Sequence, residues 1–141
     1  MLVFSEKCLE NFYYLLGICE FVVVRVEAKK ISFRVERESE LPHRVEADET
    51  KLRQVLVILL GNALKFTPTG GRVVLRMRSQ AESRSGARLY AEIEDTGVGI
   101  APEDMSHLFQ PFLRAEDGWR SSGGTGLGLT ITHRIVELMG G

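Results

Sequence analysis

The chain has 141 residues, of which 44% are hydrophobic, and this composition favours one folded domain over a disordered segment. Eighteen basic and nineteen acidic residues leave a net charge of −1, which gives no electrostatic reason to expect nucleic acid or an anionic membrane as a partner. The two cysteines, Cys8 and Cys19, lack the spacing of zinc ligands and are predicted to be core residues in a reducing compartment. The most apolar stretch, residues 12–24, is shorter than the roughly 20 residues that a spanning helix needs. We therefore expect a cytoplasmic domain with no membrane-inserted segment.

The first half of the chain predicts a helix, a strand and a longer second helix. Residues 6–28 are typical of a helix that either continues or turns extended over residues 21–26, where β-branched valines cluster. Alternating apolar residues at 31–35 predict a half-buried strand, and residues 45–47 a short second one. Residues 48–66 form the clearest predicted helix, with Asp48 as its N-cap and a core face at three- and four-residue spacing: Leu52, Val55, Leu56, Leu59, Leu60, Ala63 and Leu64.

Two strands and a short helix are predicted next. Residues 72–78 and 88–94 alternate apolar and polar side chains, and the polar stretch 79–86 between them predicts a hairpin loop. Residues 102–109 predict a short helix with Pro102 in its first turn.

The end of the chain predicts a loop and a closing helix. Residues 115–126 are rich in Gly and Ser and predict a mobile loop. Residues 127–139 predict a helix with Leu127, Ile131, Ile135 and Leu138 on one side. The order of elements predicts one α/β domain over residues 1–141, a two-layer sandwich whose mixed, mostly antiparallel sheet is covered on one face by helices.

Three clusters in the sequence have the composition of a ligand site, and the first lies at the end of the long helix. Ile58, Asn62 and Lys65 share one stripe at i, i+4 and i+7, apart from the leucine face. An amide oxygen can ligate Mg²⁺, and an ammonium can offset the charge of a phosphate. Taken alone, the stripe is more simply explained as solvated residues near a helix C-terminus, where a lysine is favoured.

The second cluster, residues 95–100, directly follows a predicted strand. Its glycines, Gly97 and Gly99, allow a positive φ and a close approach of the backbone to a ligand. The carboxylate of Asp95 can accept a hydrogen bond from an exocyclic amine such as that of adenine. A strand-ending turn closed by an Asx hydrogen bond is the alternative explanation.

The third cluster, residues 123–129, lies where the loop meets the final helix. Exposed amides at a helix N-terminus bind anions, and glycines let phosphates approach. The glycine spacing is neither that of a P-loop nor that of a dinucleotide-binding loop. A flexible linker is the alternative, and Leu127 and Leu129 argue against it because they place the start of a packed helix here.

Together with residues 108–112, the three clusters resemble, in chain order, the N, G1, F and G2 boxes of the sensor histidine kinases. These kinases belong to the ATPase superfamily that also contains gyrase B, the heat-shock 90 chaperones and MutL. The corresponding segments are Asn62 with residues 65–67, then residues 95–100, 108–112 and 124–129. The resemblance runs from about residue 27 to residue 141, and it implies a domain that binds ATP and Mg²⁺ under a flexible glycine-rich lid.

The resemblance also implies roles for matching residues. Asn62 corresponds to the Mg²⁺-binding asparagine and Lys65 to a phosphate contact, and these two are the catalytic candidates. Phe66 corresponds to the aromatic residue beside the adenine, and Asp95 to the carboxylate that binds its amino group. The other candidates are Gly97, Gly99 and Ile100 for the base pocket, Gly124, Thr125, Gly126, Leu127 and Gly128 for the hinge of the lid, Phe109 and Phe112 for its anchors, and Thr67, Arg114 and Thr130 for further polar contacts.

Three features depart from the family pattern. Members usually carry a second asparagine, or a glutamate when they hydrolyse ATP, where this chain has Ile58. Isoleucine can neither coordinate Mg²⁺ nor act as a base, so we expect weaker metal binding and slow or absent phosphoryl transfer. None of His43, His107 and His133 matches the phosphoacceptor motif, so the substrate histidine is expected on another domain or chain. The sequence stops at Gly141, before the family's usual final pair of strands, which predicts a fragment.

The leading functional hypothesis is a histidine kinase catalytic domain that donates the γ-phosphate of ATP to a histidine of a separate dimerisation domain, with a response regulator downstream. The isolated domain is expected to be monomeric because the family dimerises elsewhere. The main alternative, supported by Ile58, is a degenerate module that senses ATP or ADP and transfers nothing. A small anti-sigma-type serine kinase has similar boxes, but residues 65–67 and 108–112 fit the histidine kinases better. A gyrase-like or chaperone-like ATPase is least favoured, because position 58 lacks the glutamate.

Overall fold

The structure is a computed structural model that describes residues 2–3, 18–40, 44–45, 48–81, 87–109 and 127–141. Apart from a short first strand that was not predicted, its elements follow the predicted order along the chain. They are β1 (Leu2–Val3), α1 (Ile18–Lys29), β2 (Ser32–Arg37), β3 (Arg44–Val45), α2 (Glu49–Phe66), β4 (Arg72–Ala81), β5 (Ala87–Asp95), α3 (Pro102–Met105) and α4 (Gly128–Leu138).

The main sheet has three strands in the order β2-β4-β5. β2 runs parallel to β4, with Phe33 opposite Val73, and β4 runs antiparallel to β5, with Val73 opposite Asp95. β1 and β3 form a separate antiparallel pair. The parallel β2–β4 pairing is possible because the whole of α2 lies between these strands in the chain. The mixed sheet with packed helices confirms the predicted α/β class.

The hydrophobic core lies between one face of this sheet and the helices. β4 contributes Val73, Leu75 and Met77, each with at most 1% of its surface exposed. α1 and α2 supply the other side of the same cluster, which includes Val22, Leu52, Leu56, Leu60, Ala63 and Leu64. The predicted core face of α2 is thus confirmed except at Leu59, which is only half-buried.

The β-branched end of α1 is helical, so the prediction that it could turn extended is wrong. Val22 is buried in the core from its helical position, and this packing outweighs the weak local preference of valine for strands. α1 ends in a Schellman motif: the Ile31 amide donates to the Val26 carbonyl at 3.0 Å and the Lys30 amide to the Glu27 carbonyl at 3.2 Å. Lys30 has a φ of 51°, in the left-handed region where glycine is usual.

The long helix α2 begins as predicted. Asp48 is its N-cap, and its Oδ1 accepts a hydrogen bond from the Lys51 amide at 3.1 Å. This backbone hydrogen bond lowers the pKa of the Asp48 carboxyl, because it favours the charged form. At the other end, the Thr67 amide donates to the Ala63 carbonyl at 3.0 Å, and the chain leaves the helix toward β4.

Several predicted boundaries shift, most of all those of β4, the short helix and β3. β4 continues to Ala81, so the strand takes in part of the predicted hairpin loop; residues 82–86 lie outside the described part. A side chain supports the extension, since the Ser39 hydroxyl accepts a hydrogen bond from the Ser79 amide at 2.8 Å. The short helix predicted at 102–109 is a single turn, α3, followed by further turns to Phe109. The predicted second strand is β3, one residue earlier than expected.

The predicted apolar side of α4 is only partly correct. Ile131 and Leu138 are exposed, whereas Thr132 is buried. Gly128, one turn before Thr132, lies against α2, so the face of α4 that packs is set by this glycine and threonine. The leucine and isoleucine spacing could not show this, because small and polar residues carry no apolar signal.

The outer face of the sheet carries a cluster of charges around Arg76. Its guanidinium bonds to Glu94 at 2.7 Å and to Glu36 and Glu92 at 2.9 Å each. These bonds raise the pKa of Arg76, and the hydrogen bond from Arg76 lowers the pKa of Glu94. Beneath these side chains Val74 is only 3% exposed, so the long charged residues shield an apolar strand position.

The described part of the chain contains no helix of the length and apolar character required to cross a bilayer. The predicted apolar stretch 12–24 falls partly on α1, and residues 6–17 lie outside the described part.

Candidate functional site

Asp95 lies at the end of β5, where the predicted adenine-binding turn begins. Its Oδ1 accepts a hydrogen bond from the Gly97 amide at 2.8 Å, which closes the turn. The Asx hydrogen bond given above as the alternative explanation is therefore present, and it holds the carboxylate in one orientation. Asp95 is nevertheless exposed, so the same carboxylate is accessible to an amine donor.

The two glycines of this turn are needed for different reasons. A Cβ on Gly97 would lie 2.9 Å from the carbonyl oxygen of Phe66, so the turn can lie against the end of α2 only because this residue is glycine. Gly99 has a φ of 71° and open space around it. The close approach thus occurs at Gly97, toward Phe66, and the positive φ at Gly99. Two segments far apart in sequence form one backbone junction here.

Thr96, which the sequence analysis did not single out, ties this junction to β4. Its amide donates to the Arg72 carbonyl at 3.0 Å, and its hydroxyl accepts a hydrogen bond from the Arg72 amide at 2.9 Å. These bonds continue the β4–β5 pairing one residue beyond Asp95, so they fix where its carboxylate stands. A hydroxyl residue next to a strand end was the available signal, since such side chains readily bond to backbone groups.

Lys65 and Phe66, the last two residues of α2, lie together. The Nζ of Lys65 is 4.9 Å from the centroid of the Phe66 ring, a cation–π arrangement. Both residues are half-buried. The ammonium therefore stands beside the aromatic ring that was predicted to flank the adenine.

α4 begins against the stripe of α2 that was predicted to bind phosphate and metal. A Cβ on Gly128 would lie 3.1 Å from Ile58 Cγ2 and 4.0 Å from Asn62 Nδ2, so both side chains face the first turn of α4. Leu127 is the N-cap and makes no side-chain capping bond. Because leucine has no oxygen to offer, it leaves the first amides of α4 available to an anion.

We refer to Phe66, Asp95 and Gly97 as the base end of the site, and to Ile58, Asn62 and Gly128 as its phosphate end. Phe66, Asp95 and Gly97 were predicted to contact the adenine, and Asn62 was predicted to bind the metal. Ile58 and Gly128 lie beside Asn62. Both ends are formed against the C-terminal half of α2, which contributes Phe66 to the base end and Ile58 and Asn62 to the phosphate end.

Phe109, predicted to anchor the lid, stacks on His133 of α4. Their ring centroids are 4.6 Å apart and their planes differ by 29°. Phe109 is still 51% exposed. The stacking joins the turn after α3 to α4. The sequence did not predict His133 as the partner of Phe109.

Two of the predicted polar contacts have buried hydroxyls. The Oγ1 atoms of Thr67 and Thr130 are buried and have no hydrogen-bond partner among the described residues. Buried polar atoms usually have a partner in the protein or in bound water or ligand. Their state therefore fits a site in which further polar groups are held.

The remaining predicted residues divide into two groups. Ile100 is exposed and Leu127 is half-buried. The others lie outside the described residues: Phe112, Arg114, Gly124, Thr125 and Gly126.

Asn62 is the single candidate metal ligand that the prediction named, and the structure allows its fit to be tested. Within the described part of the chain, no group of three or more His, Cys, Asp or Glu side chains could hold a metal ion. The neighbouring position on the stripe is the aliphatic Ile58. Mg²⁺ keeps several waters and binds through few protein ligands plus substrate phosphates, so Asn62 fits the ion only as part of a metal–nucleotide complex.

Comparisons with known proteins identify the family. The chain matches the family described as histidine kinase-, DNA gyrase B-, and HSP90-like ATPase over residues 47–141. It is 40% identical over 114 residues to the signal transduction histidine-protein kinase BarA of Escherichia coli, which is 80% of this chain and 12% of BarA. It is 34% identical over 130 residues to the aerobic respiration control sensor protein ArcB of Escherichia coli, which is 91% of this chain and 16% of ArcB. The chain thus spans a small part of the length of these relatives.

Solved structures share the fold. The nucleotide-free catalytic domain of histidine kinase ThkA superposes with a TM-score of 0.72 at 26% identity, over 92% of this chain and 78% of that one. Full-length ShkA in complex with AMPPNP superposes with a TM-score of 0.70 at 34% identity, over 92% of this chain and 25% of that one. The sequence resemblance is confirmed: the chain belongs to the histidine kinase-, DNA gyrase B- and HSP90-like ATPases, as an ATP-binding catalytic domain of the sensor histidine kinase type.

Proposed function

We propose that this domain binds Mg²⁺-ATP along the C-terminal half of α2 and donates the γ-phosphate to a histidine on a separate dimerisation domain. The observation that carries the proposal is the convergence of distant segments on this half-helix. Gly97 lies against Phe66 at the base end. Gly128 lies against Asn62 at the phosphate end. This two-ended site suits a nucleotide, because a base needs an acceptor and an aromatic face while phosphates need amides and a cation.

At the base end, we assign adenine recognition to Asp95, whose carboxylate accepts the exocyclic amine. The Gly97 amide on Oδ1 keeps that carboxylate oriented, so little freedom is lost on binding. Phe66 flanks the base, and Gly99 and Ile100 complete the pocket wall.

At the phosphate end, we assign the metal contact to Asn62 and phosphate neutralisation to Lys65. Bound Mg²⁺ supplies charge neutralisation on the phosphates. From the family resemblance we assign phosphate contacts to the first amides of α4, to the hinge glycines Gly124 and Gly126, and to the positive charge of Arg114; the last three lie outside the described residues. The resemblance adds Thr125 and Leu127 at the hinge, Phe109 and Phe112 as anchors of the lid, and Thr67 and Thr130 as secondary polar contacts.

Phosphoryl transfer requires mainly positioning and charge neutralisation from such a domain. The acceptor histidine and the group that takes its proton belong to the dimerisation domain, and a response regulator receives the phosphate downstream. The sensor kinases BarA and ArcB support this context. We further propose that the domain is cytoplasmic and monomeric in isolation and that its parent protein is anchored in a membrane.

A second candidate function is nucleotide sensing without transfer. The observation that favours it is the contact of Ile58 with the start of α4, where Cγ2 lies 3.1 Å from the Cβ position of Gly128. Hydrocarbon thus occupies the side of the phosphate end next to Asn62, so metal binding depends on the one amide.

Calorimetric titration with ADP and with AMPPNP, each with and without Mg²⁺, tests the proposal. We expect both to bind, with tighter binding in Mg²⁺. Asp95→Asn should weaken binding at least about tenfold, because the amide loses the charge and can present its NH₂ to the adenine amine. Asp104→Asn, a half-buried acid in α3 outside the proposed site, is the matched control and should leave ADP binding unchanged.

The outcomes separate the two functions. Binding that Mg²⁺ does not strengthen favours the sensor. Absence of binding by a folded chain rules out both. Transfer itself is tested by incubating the domain with radiolabelled ATP and a separately purified dimerisation domain of a related kinase, where label on the acceptor histidine is the expected result.

A further inference from the structure

The side chain of Lys29, the last residue of α1, holds the C-terminal end of α2. Its Nζ donates to the carbonyl oxygens of Leu64 at 2.9 Å, Lys65 at 2.7 Å and Thr67 at 3.0 Å. An ammonium has three donors, and all three are used here. The last carbonyls of a helix lack partners within it and carry partial negative charge, so a cation at this point is favoured.

The backbone of Lys29 adds a fourth bond to the same region. Its carbonyl accepts the Gly70 amide at 3.0 Å. One residue of α1 therefore brackets the whole connection from the last turn of α2 to the start of β4. That connection contains Lys65 and Phe66, which are assigned above to phosphate and adenine.

Three of the last four carbonyls of α2 accept hydrogen bonds from identified donors, and the fourth lies against Gly97. The Ala63 carbonyl accepts the Thr67 amide at 3.0 Å. The next two carbonyls, of Leu64 and Lys65, accept hydrogen bonds from the Nζ of Lys29. The last, of Phe66, faces Gly97 at the base end. Without the ammonium, two helix carbonyls directly before that junction would lose this charged donor.

We propose that Lys29 is a positioning residue for the nucleotide. It lies behind the site and fixes the end of α2, against which the turn at Gly97 is placed. Its effect on binding therefore passes through Phe66 and the junction. This inference rests on the proposed function, since it names a support for that same site.

The test uses Lys29→Met, which keeps the aliphatic stem and removes the donors, and Lys29→Arg, which keeps charge and donors. Lys30→Met is the matched control, because it removes the same charge one residue away. We expect Lys29→Met to weaken ADP binding about tenfold in calorimetry. Lys29→Arg should restore the affinity to within about threefold, and Lys30→Met should match the wild type.

Hydrogen exchange of the nucleotide-free protein gives a readout that general destabilisation does not reproduce. In Lys29→Met the amides of Gly70 and Gly97 should exchange faster, while the capped Lys51 amide at the far end of α2 should not change. A merely stabilising role would speed exchange at both ends of α2.

The outcomes distinguish the inference from the proposed function. Unchanged ADP affinity in a folded Lys29→Met protein overturns the inference and leaves the proposed function standing. Absence of ADP binding by the wild type overturns the proposed function, and the inference about Lys29 falls with it. If Lys29→Met does not fold, Lys29→Gln takes its place, because its amide has two donors for the three carbonyls and no charge. We then expect faster exchange at Gly70 and Gly97 and a roughly threefold loss of ADP affinity, and wild-type values of both overturn the inference.

Discussion

The two ends of the site are built in different ways. At the base end, backbone meets backbone: Gly97 lies against the Phe66 carbonyl, and Thr96 pairs with both backbone groups of Arg72. At the phosphate end, side chains meet a backbone: Ile58 and Asn62 face Gly128. Backbone groups joined by hydrogen bonds have few alternatives, whereas side chains can change rotamer.

From this difference we infer that, in the proposed function, recognition of the base depends on the fold and recognition of the phosphates on side-chain identity. A substitution at the base end must displace the main chain, so it should weaken nucleotide binding strongly and also lower the free energy of unfolding. A substitution at the phosphate end should alter metal or phosphate binding with little effect on folding. The predictions below test that contrast, beginning with the largest expected effect.

Gly97→Ala should have the largest effect. The added Cβ would lie 2.9 Å from the Phe66 carbonyl oxygen, and a backbone atom cannot move aside alone. We expect a loss of about 1–3 kcal/mol in the free energy of unfolding and loss of measurable ADP binding. Urea denaturation and calorimetry measure the two effects.

Gly128→Ala is the matched change at the phosphate end. Here the new methyl meets Ile58 Cγ2 at 3.1 Å, the end of a side chain that can shift. Alanine also favours a helix over glycine by about 1 kcal/mol, which offsets the crowding. We expect the free energy of unfolding to stay within about 1 kcal/mol of the wild type. Equal losses in both variants would contradict the contrast between the two ends.

Ile58→Asn should change metal dependence rather than folding. It places a second amide beside Asn62 on the same stripe, so an ion at the phosphates gains a ligand or an ordered water. We expect the ratio of AMPPNP affinities with and without Mg²⁺ to rise about tenfold. Calorimetry at matched ionic strength measures that ratio.

Ile58→Val is the control for that substitution, because it shortens the hydrocarbon without adding a ligand. The ratio should then stay at the wild-type value. A high ratio in the wild type that Ile58→Asn leaves unchanged would show that Mg²⁺ is held without this position, and would count against the sensing function.

The sequence predicted the elements of the fold well because their signals are local. The alternation that defines β2, β4 and β5 and the leucine spacing of α2 report burial directly. Asp48 was identified as N-cap from its position and chemistry alone. The helical state of Val22 was the exception, since its burial in the core depends on partners that a local window does not contain.

The sequence named candidate residues for the site, which remain predictions, but it could not show the contacts among them. The boxes named Asp95, Gly97 and Gly128, yet no pattern showed that Gly97 would lie against Phe66. The supports were missed for the same reason: Lys29 and Thr96 act through backbone groups of segments distant in sequence. Long-range hydrogen bonds leave no periodicity in the chain.

Lys30→Gly should stabilise the domain without affecting the base end or the phosphate end of the site. Lys30 has a φ of 51° in the Schellman motif of α1, and a side chain there is strained by about 1 kcal/mol. Glycine removes that strain, so the free energy of unfolding should rise by a similar amount, measured by urea denaturation. Lys30→Ala keeps a Cβ in the same conformation and should show no gain. A changed ADP affinity in Lys30→Gly would mean that the α1 terminus is coupled to the site through more than Lys29.

The smallest effect is expected on the outer face of the sheet, away from both ends. The hydrogen bond from Arg76 lowers the pKa of Glu94 in the folded protein. The stability from this pair is therefore present above the unfolded pKa of a glutamate, about 4.3, and is lost as pH falls through the lower folded value. Arg76→Met should thus be less stable than the wild type at neutral pH, and the gap should narrow below about pH 4 in urea denaturation. High salt should narrow the gap too, because these side chains are solvent-accessible. A gap that stays constant with both pH and salt would instead assign the role of Arg76 to the shielding of Val74 by its aliphatic stem.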